Sequence, residues 1–180
     1  MSLSWSRVTL AAAGVGLLAG CAGPEIAYYT PPPGLTQAQA VSVVGSKDPK
    51  FFLQSSEYRL VWAVDGRPLK DSAYRWQEPL LITANEPHRL SLAYGWGALV
   101  GGTVVDVTAP PGTQLIVEGE DVVPERQARL WLADAATGRV VGEKQTIALA
   151  YGNSGFSNST IAQATPTGDI VPQKIIQMKH

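Results

Sequence analysis

Cysteine occurs once in the 180 residues, at Cys21, so no disulfide can close within the chain. Histidine occurs twice, at His88 and His180, too far apart in sequence to suggest a zinc site, and neither a metal nor a cofactor is expected. An excess of either charge is also missing. Fourteen Lys and Arg face 15 Asp and Glu, with no basic block, so the cationic footprint of a nucleic-acid binder is not there. No apolar run reaches the roughly 18–20 residues that cross a bilayer as a helix. What is present is 45% hydrophobic and 16% charged residues, the balance of a globular chain rather than a disordered one.

The first 20 residues read as a removable leader. Arg7 is the only charge before Glu25, and Val8 to Leu18 form an apolar run about half as long as a membrane span. The run ends in Leu18-Ala19-Gly20-Cys21. This sequence resembles the lipobox of bacterial lipoproteins: an apolar residue, two small ones, then the cysteine that is lipidated and becomes the first mature residue. The resemblance implies a thioether-linked lipid on Cys21 and a membrane partner reached through it. Two or more acyl chains anchor durably where one does not. Ala22 rather than Asp follows the cysteine, which by the same resemblance favours the outer membrane, facing the periplasm.

Residues 21–38 hold Pro24, Pro31, Pro32 and Pro33 and read as a semi-rigid polyproline spacer. The body is expected over 39–151. Tyr58, Leu60, Trp62 and Val64 alternate with Glu57, Arg59, Val61 and Ala63, which assigns Trp62 to the core, and Asp65-Gly66 signals a two-residue hairpin. Further runs lie at Leu80–Thr83, Leu90–Tyr94, Thr103–Thr108, Leu115–Val117, Ala128–Ala133 and Val140–Leu149, separated by Pro, Gly, Asn and Asp. The pattern predicts an all-β, antiparallel two-sheet β-sandwich of about eight short strands. The Val64-Asp65-Gly66 region is similar to small periplasmic β-domains of the PEGA type, whose Asp-Gly turn precedes a strand entered through Pro-Gly-His-like residues. Here Asn85-Glu86-Pro87-His88-Arg89-Leu90 lacks the glycine, and the likeness concerns fold alone.

Among candidate sites, Gly97 and Gly102 have P-loop spacing, but Thr103 stands where the phosphate-binding lysine belongs. The stretch is expected to be a hairpin or bulged strand pair carrying Trp96, the tryptophan most exposed to solvent. Trp96 with Trp76 forms the candidate sugar platform of a glycan-binding alternative. Glu118, Glu120, Asp121 and Glu125 are read as a solvated loop. Hydrolase chemistry on these carboxylates is the least favoured reading, since a hairpin loop supplies no cleft. His88 has no catalytic partner in the sequence and no Gly-x-Ser-x-Gly elbow occurs, so no catalytic residue is assigned. Phe51-Phe52-Leu53 is expected to pack over a sheet end. Residues 152–180 read as a linker and an apolar tail, whose Ile170, Val171, Ile175 and Ile176 return to the body or dock on a partner. The expectation is a non-enzymatic, lipid-anchored binding or assembly component of the cell envelope. Its possible protein partner is met by Trp96 and the tail.

Overall fold

The computed structural model describes residues 26–48, 57–72, 75–122 and 126–152. Cys21, Phe51-Phe52-Leu53, Glu125 and the tail with Ile170, Val171, Ile175 and Ile176 lie outside them. The chain is an all-β, two-sheet β-sandwich. Its strands are β1 (Ala40–Val44), β2 (Ser46–Asp48), β3 (Glu57–Val64), β4 (Arg67–Pro68), β5 (Leu80–Thr83), β6 (His88–Trp96), β7 (Leu99–Val107), β8 (Gln114–Val122), β9 (Gln127–Asp134), β10 (Val140–Ala148) and β11 (Ala150–Tyr151). Eight have four residues or more. One sheet runs β10-β9-β8-β1-β5 and the other β11-β7-β6-β3-β2, with β4 beside the far end of β3. Pairing is antiparallel except for β1 against β8.

Two turns show how local chemistry sets this order. Asp65 and Gly66 both sit at positive φ (51° and 74°), the type I′ geometry that an Asp-Gly pair tolerates, and Val64 pairs directly with Arg67. Gly97, at φ 58°, closes β6 on β7 so tightly that Trp96 pairs with Leu99. The expected hairpin is therefore present, closed by a two-residue turn.

The sandwich is closed at its sides by chain segments that change sheets. Gly45 lies between β1 in one sheet and β2 in the other. A Cβ there would stand 2.5 Å from the Arg59 carbonyl oxygen, so only glycine fits. On the opposite side β10 passes into β11, and Gly101 leaves room for the Ala148 carbonyl, which a Cβ would approach to 2.7 Å.

The main core lies between the sheets and includes Val41, Val43, Val61, Val64, Ile82, Leu90, Leu92, Leu115, Val117 and Leu130. Trp62 is buried, but not there. A register shift between Val61 and Ala63 turns Val61 and Val64 both toward the main core, while Leu60, Trp62, Ala63 and Ala93 form a second, smaller cluster against which Trp76 packs. One bulged residue thus overturns the parity that grouped Trp62 with Val64.

Candidate functional site

A pocket opens at the side of the sandwich where β1 and β5 face β3 and β4. Its volume is about 190 Å³. Val43, Val61, Leu69 and Leu80 make an apolar floor against the main core, Tyr29, Pro31 and Trp76 form walls, and Lys70, Ser72, Arg75 and Glu78 stand around it. Arg75 and Glu78 are tied to one another by Nε (2.8 Å) and Nη2 contacts to Glu78 Oε2. This mutual hydrogen bonding raises the arginine pKa and lowers the glutamate's. Lys70 is exposed and enters no ion pair among the described residues.

Tyr29 connects this pocket to the N-terminal stretch. Its amide donates to Pro68 O of β4 (2.8 Å), and its hydroxyl donates to Leu81 O of β5 (2.9 Å), so one residue grips both sheets. Burial raises the hydroxyl's pKa despite the nearby Arg67 guanidinium, which lies 5.1 Å over the ring. Tyr29 is 8% exposed and belongs to the core, so the Pro-rich stretch is joined to the body well before residue 39; its neighbour Tyr28 faces solvent.

A second group is sealed between the sheets at the end where β3 starts and β8 finishes. Glu57 (1% exposed) and Arg59 (5%) point inward on alternate positions, with Arg59 Nη2 2.6 Å from Glu57 Oε2 and 3.8 Å from Asp48 Oδ2. Gly119 of β8 faces the Arg59 stem; a Cβ there would meet Arg59 Cδ at an ordinary 3.4 Å but would stand 2.7 Å from the Arg129 carbonyl oxygen. Tyr94 is fully buried alongside. Burial first, then the charges of Glu57 and Asp121, push its hydroxyl pKa far above the ordinary value, so it stays neutral.

The third group was not visible in sequence. His88 Nδ1 is 2.9 Å from Asp65 Oδ2, and His88 Nε2 is 2.7 Å from Thr83 Oγ1. Acid, imidazole and hydroxyl are thus aligned as in a nucleophilic triad, through residues separated by 23 and 5 positions. Thr83 Oγ1, however, also donates to Glu86 Oε2 at 2.8 Å. That carboxylate competes for the proton the imidazole would have to take, and its charge opposes an oxyanion forming beside the hydroxyl. The arrangement acts as a pin from β5 in one sheet to the β3–β4 turn and β6 in the other.

The Asp65 carboxyl also accepts from the Arg89 amide (2.8 Å). Burial works to raise its pKa, but the Arg89 amide, the His88 contacts and the Arg67 charge outweigh it and hold the pKa below the ordinary range. Replacing His88 with alanine is expected to cost about 1–2 kcal/mol in urea unfolding. A folded-state pKa that is lowered stabilises above the unfolded value, and the contribution disappears as pH falls through the folded one. The gap between the variant and the parent is therefore expected to narrow below about pH 4.

The remaining sequence candidates are rearranged. The acidic residues are not in a loop: Glu118, Glu120 and Asp121 belong to β8, where alternation puts Glu118 and Glu120 on one face and Asp121 on the other. Glu118 is opposite Trp131, and Glu120 is opposite Arg129, with Arg129 Nη1 3.2 Å and Lys144 Nζ 3.9 Å from Glu120 Oε1. Asp121 lies on the other face, toward Tyr94. Trp96 is not the exposed tryptophan of a loop, because the tight turn keeps it on β6, half-buried and packed against the main core. Trp76 instead packs on the smaller cluster and lines the pocket, with its ring edge-on to Tyr58 at 6.0 Å. The two tryptophans do not form a common platform.

Compared with protein-family models, curated proteins and solved structures, the chain matches none.

Proposed function

We propose that this is a lipid-anchored, non-catalytic β-sandwich of the cell envelope, moored through Cys21, that serves as a binding or assembly component with the side pocket as its contact site. The supporting observation is Tyr29. The stretch that follows the lipobox ends in a residue that grips both sheets and, with Pro31, lines the pocket. The body is therefore held from Tyr29 onward, eight residues after Cys21 in the sequence. The outer membrane, facing the periplasm, is the location this reading favours.

A glycan-binding reading keeps Trp76 alone of its two rings, supported by that ring's place in a pocket with polar side chains around it. The test is a photo-crosslinking residue at Lys70 in living cells, with another at Lys144 on the far edge strand as control. The expected result is a discrete envelope product from position 70 and none from 144. Equal, diffuse labelling from both sites would remove the pocket as a contact site.

A further inference from the structure

The pocket's chemistry selects among occupants. Its floor is aliphatic, made of Val43, Val61 and Leu80, and its hydrogen-bonding side chains, Lys70, Ser72, Arg75 and Glu78, stand around it. Its volume is about 190 Å³, and an apolar cavity of about 150 Å³ accommodates the six carbons of benzene. By that measure it takes about seven carbons: more than a leucine side chain, much less than a whole acyl chain. Of the two cations beside it, Arg75 is neutralised by Glu78, whereas Lys70 has no ion-pair partner among the described residues. An apolar slot with one available positive charge suits an amphiphile with an anionic head.

We infer that the pocket binds the head-proximal part of one acyl chain of an anionic membrane lipid, with about seven carbons on the aliphatic floor and the negative head group on Lys70. The lipid source rests on the anchored reading above. Tyr29 lies eight residues after Cys21, a reach of at most about 29 Å for any extended chain, so a mooring at Cys21 would keep the pocket near the membrane surface. The pocket's preference for an anionic amphiphile does not depend on that mooring.

The experiment uses the full-length chain carrying Cys21→Ser, so that no covalent lipid competes, and titrates straight-chain carboxylates of about four to ten carbons by calorimetry. Affinity is expected to rise about fourfold per methylene and to level off near seven carbons. Lys70→Glu should weaken carboxylate binding about tenfold and leave the corresponding alcohols unchanged. Leu80→Trp, which fills the slot, should abolish both, with a thermal melt confirming that the variant is folded. Lys70→Glu, at an exposed position, provides the decisive comparison if Leu80→Trp does not fold. Short-chain phosphatidylglycerol should bind more tightly than short-chain phosphatidylcholine, which identifies the lipid source. Affinity independent of chain length, insensitivity to Lys70→Glu, a preference for phosphatidylcholine, or binding of monosaccharides in place of carboxylates would each overturn the inference. Because the protein carries no lipid, none of these results bears on whether Cys21 is modified.

Discussion

Replacing Arg59 with alanine is expected to lower the free energy of unfolding by about 3–5 kcal/mol, a large part of what holds a domain of this size together. The cause is the residue left behind. Glu57 is 1% exposed, and its Oε2 lies 2.6 Å from Arg59 Nη2. Without the guanidinium, its charge has no water to replace that contact, and it stands near Asp121 and the buried Tyr94 hydroxyl. The salt bridge itself is not the source of so large a number, because taking both ions out of water offsets most of their attraction. A double replacement by neutral groups of similar volume, Glu57→Gln with Arg59→Met, is therefore expected to be much milder than Arg59→Ala alone. Urea unfolding of Glu57→Gln, Arg59→Met and the double variant measures this coupling, with Arg59→Ala alongside. A loss below about 1 kcal/mol for Arg59→Ala would show that Glu57 is not sealed from solvent.

Replacing Cys21 with serine is expected to move the protein entirely from the membrane fraction to the soluble one. Each buried methylene of an acyl chain contributes about 0.8 kcal/mol, so the several chains of a lipoprotein-type anchor hold without measurable exchange, whereas serine offers no thiol for the thioether. Among the described residues no helix is long and apolar enough to cross a membrane, and the exposed large apolar side chains are the scattered Tyr28, Val140 and Tyr151. The sandwich should fold unchanged, because Tyr29 fixes its N-terminal edge by its own two hydrogen bonds. A variant that remained in the membrane fraction would point to a mooring elsewhere in the chain.

The strands were legible in the sequence because alternation and turn chemistry are local. Asp65-Gly66 formed its hairpin, and the runs from Leu80 to Leu149 fall on β5 to β10 or beside them. What escaped was everything that depends on which strands meet. The shift between Val61 and Ala63 adds one residue to the count and moves Trp62 to a second cluster. Trp96 was assigned to solvent because glycines surround it, yet the turn at Gly97 keeps it on the strand. His88 seemed isolated since its partners Asp65 and Thr83 are brought to it only by the β3–β4 turn and the edge strand β5. The pocket combines side chains of the N-terminal stretch, β1, β3, β5 and the segment after β4, five pieces with no common pattern. Its one sequence signal was Trp76, singled out for the wrong partner.

The most direct measurement is the intact mass and N-terminal peptide of the protein purified from membranes of the cells that make it. The account predicts a mature chain beginning at Cys21 whose first residue carries the added mass of a diacylglyceryl thioether and an amide-linked acyl group. A chain that begins at any other residue, or a Cys21 recovered as a free thiol, contradicts it.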